Sequence, residues 1–194
     1  IKTDGISGFQ LLDLHDFPGQ GTALVGLLDV FWDNKGIISP EEFRYACNDV
    51  VPLIRFPKAV YTTRENFDAT VDMSNFSDQD LKGQVVEWQL MNGTQIIQSG
   101  SFTVDLKLGY NADLHEISVP LDFVQQASKL TVRVSLKNLP YQNQWNFWVY
   151  PDELAVDFGK VKYTRKLDEA SHWLEMGETV LYNPDYKSIQ GIEG

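Results

Sequence analysis

Between residues 57 and 154 apolar and polar side chains alternate in run after run, and a period of two leaves few folds open. Phe67, Ala69, Val71 and Met73 alternate with Asp68, Thr70, Asp72 and Ser74, the pattern of a strand buried on one face. "VVEWQLMNGTQII" sets Val86, Trp88 and Leu90 on one face and then places Asn92-Gly93 between two strand-like runs. Asn-Gly is a hairpin signal in which both turn residues are expected to take positive φ. Ile117, Val119 and Leu121 alternate next, then Leu130, Val132, Val134 and Leu136. "NQWNFWVYP" ends the series, with Trp145, Phe147 and Val149 opposing Asn146, Trp148 and Tyr150. Many short strands and no helical pattern predict an immunoglobulin-like antiparallel β-sandwich over 57–154, with Trp88 in its core. Cys47 is the only cysteine, so neither the disulfide that often packs on such a tryptophan nor a thiolate zinc site can form.

The two flanks differ from this middle. Residues 1–56 mix strand, loop and helix: Ile6 to Leu14 has strand propensity, and Pro18-Gly19-Gln20-Gly21 breaks it. "SPEEF" at 39–43 is a helix start, with Ser39 as cap, Pro40 at the first helical position and Glu42 completing a capping box. Phe43, Ala46, Cys47 and Val50 continue at helical spacing until Pro52, which makes Cys47 a small core residue rather than a reactive thiol. In 155–194, "VKYT", the stretch Leu167–Met176 and "TVLYNP" read as strand, helix and strand, with Gly177 as the helix stop. The fold class is therefore mainly β, a sandwich flanked by a partial α/β segment and a C-terminal β-α-β piece. Both flanks read as unfinished sheets, so the sequence looks like a slice of a longer protein, with its missing neighbours as partners.

Composition removes several function classes. The net charge of −11 is spread along the chain, whereas nucleic-acid binding needs a clustered basic surface. No apolar run approaches the roughly 18–20 residues of a membrane span. "GQG" lacks the remaining residues of a phosphate loop, and "DNKG" at 33–36 supplies too few oxygens for a calcium loop and reads as a turn. His115 and His172 stand apart from any metal-ligand spacing and read as surface residues. No cofactor and no metal are expected.

The stretch "GFQLLDLHDF", followed by "KGIISPEEFR" and the sandwich, resembles the end of a glycoside hydrolase of family 2, the β-galactosidase and β-glucuronidase group. There the last strand of the catalytic TIM barrel runs Gly-x-x-x-Trp-x-x-x-Asp, and a Lys-Gly-Ile/Leu stretch and a helix follow. Gly8, Leu12 and Asp16 fall on the first pattern, with Leu12 where the family has tryptophan; Lys35, Gly36 and Ile37 fall on the second. The resemblance implies that 1–56 is the end of such a barrel and 155–194 the start of a further domain. It implies a parent that hydrolyses a β-galactoside- or β-glucuronide-like oligosaccharide with retention, in a secreted or periplasmic setting.

Retaining hydrolysis needs two carboxyl groups about 5–5.5 Å apart. Asp13 and Asp16 are three apart on an expected strand and would face opposite ways. The resemblance puts the catalytic glutamates on earlier barrel strands, so no residue here is assigned as catalytic and the chain is expected to be inactive alone. Asp16 and His15 are candidates for lining a substrate pocket at the strand's end. The alternative for Asp16 is a cap on the turn through Phe17-Pro18-Gly19, and Asp13 is a candidate buried support. Trp148 and Tyr150, on the polar side of the last strand, either pack on a neighbouring domain or form an aromatic platform for sugar. The latter reading makes the chain a carbohydrate-binding module, and a structural spacer is the third alternative.

Overall fold

Once formed, the alternating runs have only one way to hide their apolar faces, which is against each other. The computed structural model describes residues 9–21, 24–152, 157–186 and 189. In its first unit, Ile1–Asp152, a one-turn helix α1 (Pro40–Phe43) precedes eight strands: β1 (Val50–Arg55), β2 (Val60–Thr62), β3 (Asn66–Asn75), β4 (Leu81–Asn92), β5 (Gln95–Leu106), β6 (Gly109–Pro120), β7 (Ser128–Leu136) and β8 (Gln142–Tyr150). One sheet has the order β1-β3-β6 and the other β2-β8-β7-β4-β5. All neighbours are antiparallel except β2 and β8, which run parallel. The protein is a mainly β, immunoglobulin-like sandwich whose opening strand is divided between the sheets, β1 on one and β2 on the other.

The inward residues are those the alternation picked out. Phe67, Val71, Met73, Val86, Leu90, Leu130, Val132, Val134, Phe147 and Val149 are all buried in one core. Phe67 of β3 lies flat against Phe147 of β8, centroids 4.2 Å apart and planes 8° from parallel. Tyr61 of β2 meets both rings edge-on. Trp88 is 7% exposed and opposes Gly100 across the β4–β5 ladder. A Cβ at Gly100 would stand 2.6 Å from Trp88 Nε1, so the glycine exists to let the indole lie over the neighbouring strand.

Several expectations are corrected. The β4–β5 ladder closes on the pair Asn92–Gln95, and of the two expected positive-φ residues only Gly93 (+58°) has one. The turn is thus displaced by one residue, because extending the ladder through Asn92 adds a backbone pairing. The helix expected to run to Val50 ends at Phe43. Val50, the last residue at that spacing, is β-branched and buried, as are Val51 and Ile54 beside it, and ladder pairing with β3 outweighs the helical spacing of Val50. β1 therefore falls inside the expected 1–56 segment but belongs to the sandwich. Its Pro52 is tolerated because β1 is an edge strand. Cys47, left outside any helix, is only half-buried. His115 is not free on the surface but stacks on Phe102, centroids 4.4 Å apart.

Of the expected strand from Ile6 to Leu14, Ile6 to Gly8 lie outside the described residues, and residues 9–14 are not strand. A lone strand has no ladder to satisfy its backbone; isolated bridges form here instead, His15 with Leu28 and Leu28 with Asn34.

The second unit, Glu153–Gly194, contains β9 (Lys162–Thr164), α2 (Leu167–Glu175) and β10 (Val180–Tyr182). β9 and β10 pair in parallel, Lys162 opposite Val180, with the helix as the crossover. Gly177, at φ +81°, lies just beyond the C-terminal cap Met176. There its N–H reaches Leu174 O, and the Glu178 N–H reaches Trp173 O.

Trp88→Ala is expected to lose roughly 3–5 kcal/mol through lost transfer energy and a residual cavity. Trp148, whose ring is 40% exposed on the opposite side of its sheet, should lose far less when truncated. Denaturant melts of the two variants check the inward and outward assignment; equal losses would contradict it.

Candidate functional site

The opening stretch forms a loop held by a charge rather than a strand mouth. Asp16 is buried, and its Oδ1 accepts from the Gly26 N–H at 2.9 Å. Lys35 Nζ reaches both carboxylate oxygens, at 2.9 and 3.1 Å, and also Leu24 O at 3.2 Å. The Lys35 bond, helped by Gly26, holds the Asp16 carboxyl below its ordinary value despite the opposing effect of burial. A Cβ at Gly26 would meet the His15 carbonyl carbon at 2.3 Å, so only glycine lets the chain pass here. Asp16 thus clamps two stretches 19 residues apart, rather than capping the local turn.

His15 Nδ1 lies 2.7 Å from Asp16 O. A carbonyl can only accept, so Nδ1 is the donor in this bond. Its ring leans on Trp32, centroids 4.5 Å apart and tilted by 40°. Trp32 itself sits at φ +71° in a turn whose Phe31 and Asp33 N–H groups both donate to Asp29 Oδ1. Asp13 also takes a positive φ, +66°, and is half-buried. "DNKG" is a turn, with the Gly36 N–H donating to Asn34 Oδ1. Among the described residues no cluster of three metal-ligating side chains occurs.

This loop is tied to the sandwich through β8. Asn143 Nδ2 donates to Tyr45 O and to Pro52 O, both at 3.0 Å, and Gln142 Nε2 donates to Glu41 Oε1 at 2.8 Å. Burial, together with nearby Glu41, pushes the Tyr45 hydroxyl above its ordinary pKa. The loop's outer side remains apolar: Leu12 and Phe31 are more than three-quarters exposed, and Leu24, Val25, Trp32 and Ile37 are also exposed.

A second carboxylate is buried on the outer side of the three-stranded sheet. Asp72 opposes Leu53 at a bulge and accepts from Arg55 Nε at 2.6 Å, Tyr110 O–H at 2.6 Å and the Asp113 N–H at 2.9 Å. Burial alone would raise its pKa, and these bonds together reverse that and lower it. Burial and the same carboxylate push the Tyr110 hydroxyl up to about 12. The cluster joins β1, β3 and β6 at the bulge and fastens it.

On the outer face of the five-stranded sheet, Trp148 and Tyr150 are 40% and 42% exposed. The structure does not bring them together with Asp13, His15 and Asp16 by any described contact. The residues that sequence reasoning missed are the partners: Lys35 for Asp16, Trp32 for His15, and Arg55 with Tyr110 for Asp72. Of these, only Lys35 carried a prior signal, as part of the "KGI" stretch.

Residues 65–151 match a family model described as "Domain of unknown function (DUF8488)". No curated protein matches the chain. Solved structures similar to it include the sporulation control protein Spo0M from Bacillus subtilis, 13% identical with a TM-score of 0.37, over 55% of this chain and 51% of that one. A β-glucuronidase from Parabacteroides merdae is 12% identical with a TM-score of 0.32, over 50% and 14%. β-Glucuronidase 2 from Bacteroides uniformis is 11% identical with a TM-score of 0.31, over 50% and 12%. The chain thus spans about half of the first of these and a small part of the enzymes.

The Asp16 clamp has a pH signature. Its folded pKa lies below the ordinary aspartate value of 3.8, so its contribution is complete above that value and is lost as pH falls through the folded pKa. The Gly26 amide resonance should titrate with a midpoint below 3.8, and Lys35→Met should move that midpoint upward; an unmoved midpoint would contradict the pairing.

Asp72→Asn is expected to cost roughly 1–3 kcal/mol, because it weakens a buried acceptor set. The wild type should shed the same stability as acid takes it through the lowered Asp72 pKa. Urea melts of wild type and variant from pH 7 down to about 2 check this: the acid losses from Asp16 and the other carboxylates are common to both, and the difference between the two should close as Asp72 takes up its proton.

Proposed function

We propose that the chain is the non-catalytic accessory part of a larger, family 2-like glycoside hydrolase that degrades β-galactoside- or β-glucuronide-like glycans with retention outside the cytoplasm. The observation that carries this reading is the Asp16–Lys35 ion pair. It joins the two short stretches in which the resemblance to that family resides, so the motif positions act as one structural unit. In this reading the residues ahead of β1 are the end of the catalytic barrel, 155–194 opens a further domain, and the exposed apolar side of the loop is covered by the rest of the parent. Asp16 has both oxygens engaged and serves as a fastener, so the catalytic pair belongs to the parent's other strands.

A second reading is favoured by one observation. Trp148 and Tyr150 stand two apart on β8 and present their rings on the outer face, partly open to solvent. That arrangement suits a glycan-binding role for the sandwich better than a spacer role.

Aryl β-galactosides and β-glucuronides test the first reading. The full natural polypeptide that contains this sequence should release chromophore, and the 194-residue chain should release none. Turnover by the chain alone that Asp16→Asn abolishes, or an inert full polypeptide, would overturn it.

A further inference from the structure

The outer face of the five-stranded sheet holds an open cleft of about 630 Å³. Its floor is built from outward side chains of β4, β7 and β8: Gln89, Lys129, Thr131, Arg133, Gln144 and Asn146. The ladders fix their arrangement. Arg133 stands between Gln89 on one neighbour and Gln144 on the other, and Lys129 stands beside Trp148. Glu42, from the α1 turn, forms part of the wall, so the cleft exists only because the opening loop docks on β8.

The polar groups here are only partly satisfied by one another. Arg133 is half-buried, and no ion pair or hydrogen bond engages its guanidinium among the described residues. The nearest lining carboxylate, Glu42, is committed to the Ser39 N–H of its capping box at 2.9 Å, and that bond holds its pKa down. Asn146 Oδ1 accepts from Thr131 Oγ1 at 2.8 Å, which leaves the Asn146 Nδ2 as a donor. In a chain of net charge −11, a half-buried arginine with no carboxylate partner among the described residues asks for an anion. Guanidinium is the group best shaped to take a carboxylate with two parallel bonds. The side-chain amides around it supply the donors and acceptors that hydroxyl groups need. Trp148 adds an apolar ring at the Lys129 end. One arginine and one lysine are far too few for a nucleic-acid backbone.

We propose that this cleft binds an acidic oligosaccharide, with Arg133 holding the carboxylate of a uronate residue, the amides of Gln89, Gln144 and Asn146 reading its hydroxyls, and Trp148 carrying the adjoining sugar. The inference rests on the glycan-binding reading above and adds the charge of the ligand and the residues that select it.

Calorimetric titration of the 194-residue chain tests it, using a panel of uronate-bearing oligosaccharides of several linkages, their carboxyl-reduced counterparts, and sodium acetate at matched ionic strength. At least one acidic member should bind, with its reduced counterpart weaker by about 10- to 100-fold, the loss of a charge-assisted bond. Arg133→Gln should weaken the acidic ligand by a similar factor and leave the reduced one unchanged, with an unaltered thermal melt showing that the sheet is intact. Equal binding of acidic and reduced ligands would overturn the inference while leaving glycan binding in place. Acetate that displaces the oligosaccharide at comparable concentration would mean a simple anion site and overturn it too. Binding by no member of the panel would overturn both the inference and the glycan-binding reading, and would leave the accessory reading to the turnover assay.

Discussion

The face-to-face contact of Phe67 and Phe147 is where the two sheets of the sandwich are held together. Phe67 belongs to the three-stranded sheet and Phe147 to the five-stranded one, and Tyr61 closes the cluster edge-on. Aromatic pairs of this kind add roughly 0.5–1.5 kcal/mol to the burial of their large surfaces. Their geometric effect matters more. With Phe147 and Val149 fixed inward, the period of two leaves Asn146, Trp148 and Tyr150 no choice but to face out. Slipping β8 by one residue would bury that polar face and expose the stack.

β8 therefore serves two surfaces at once. Its first residues, Gln142 and Asn143, hold the opening loop; beyond them its inner side completes the core and its outer side contributes Gln144 and Asn146 to the cleft. Such a strand is rigid because half of it is core, and chemically free on the other half because the sheet has already satisfied its backbone.

The two buried carboxylates follow a common rule. Asp16 is met by Lys35 and a backbone N–H, and Asp72 by Arg55, Tyr110 and another backbone N–H. A carboxylate taken out of water demands such company. Each set fixes a place where regular structure fails, one in a loop without a ladder and the other at a bulge. Half-buried Arg133 has no such company among the described residues, which sets it apart from these fasteners.

How much of this was legible beforehand depended on the range of the forces involved. The alternation from Phe67 to Val149 determined strands, faces and core from the sequence alone, since side-chain direction in a strand is set by neighbours one residue away. The capping box at Ser39–Glu42 and the helix stop at Gly177 were readable for the same reason. Local signals misled where partners were remote. Val50 looks helical by its spacing from Phe43, Ala46 and Cys47, but β3 claims it for a ladder, and residues 9–14 look like a strand but have no described strand to pair with. The pairing of Asp16 with Lys35, of His15 with Trp32 and of Asp72 with Arg55, and the assembly of a cleft from three strands and a loop, were decided only by tertiary structure. Each joins residues far apart in sequence, and no local preference specifies which distant charge or ring will arrive there.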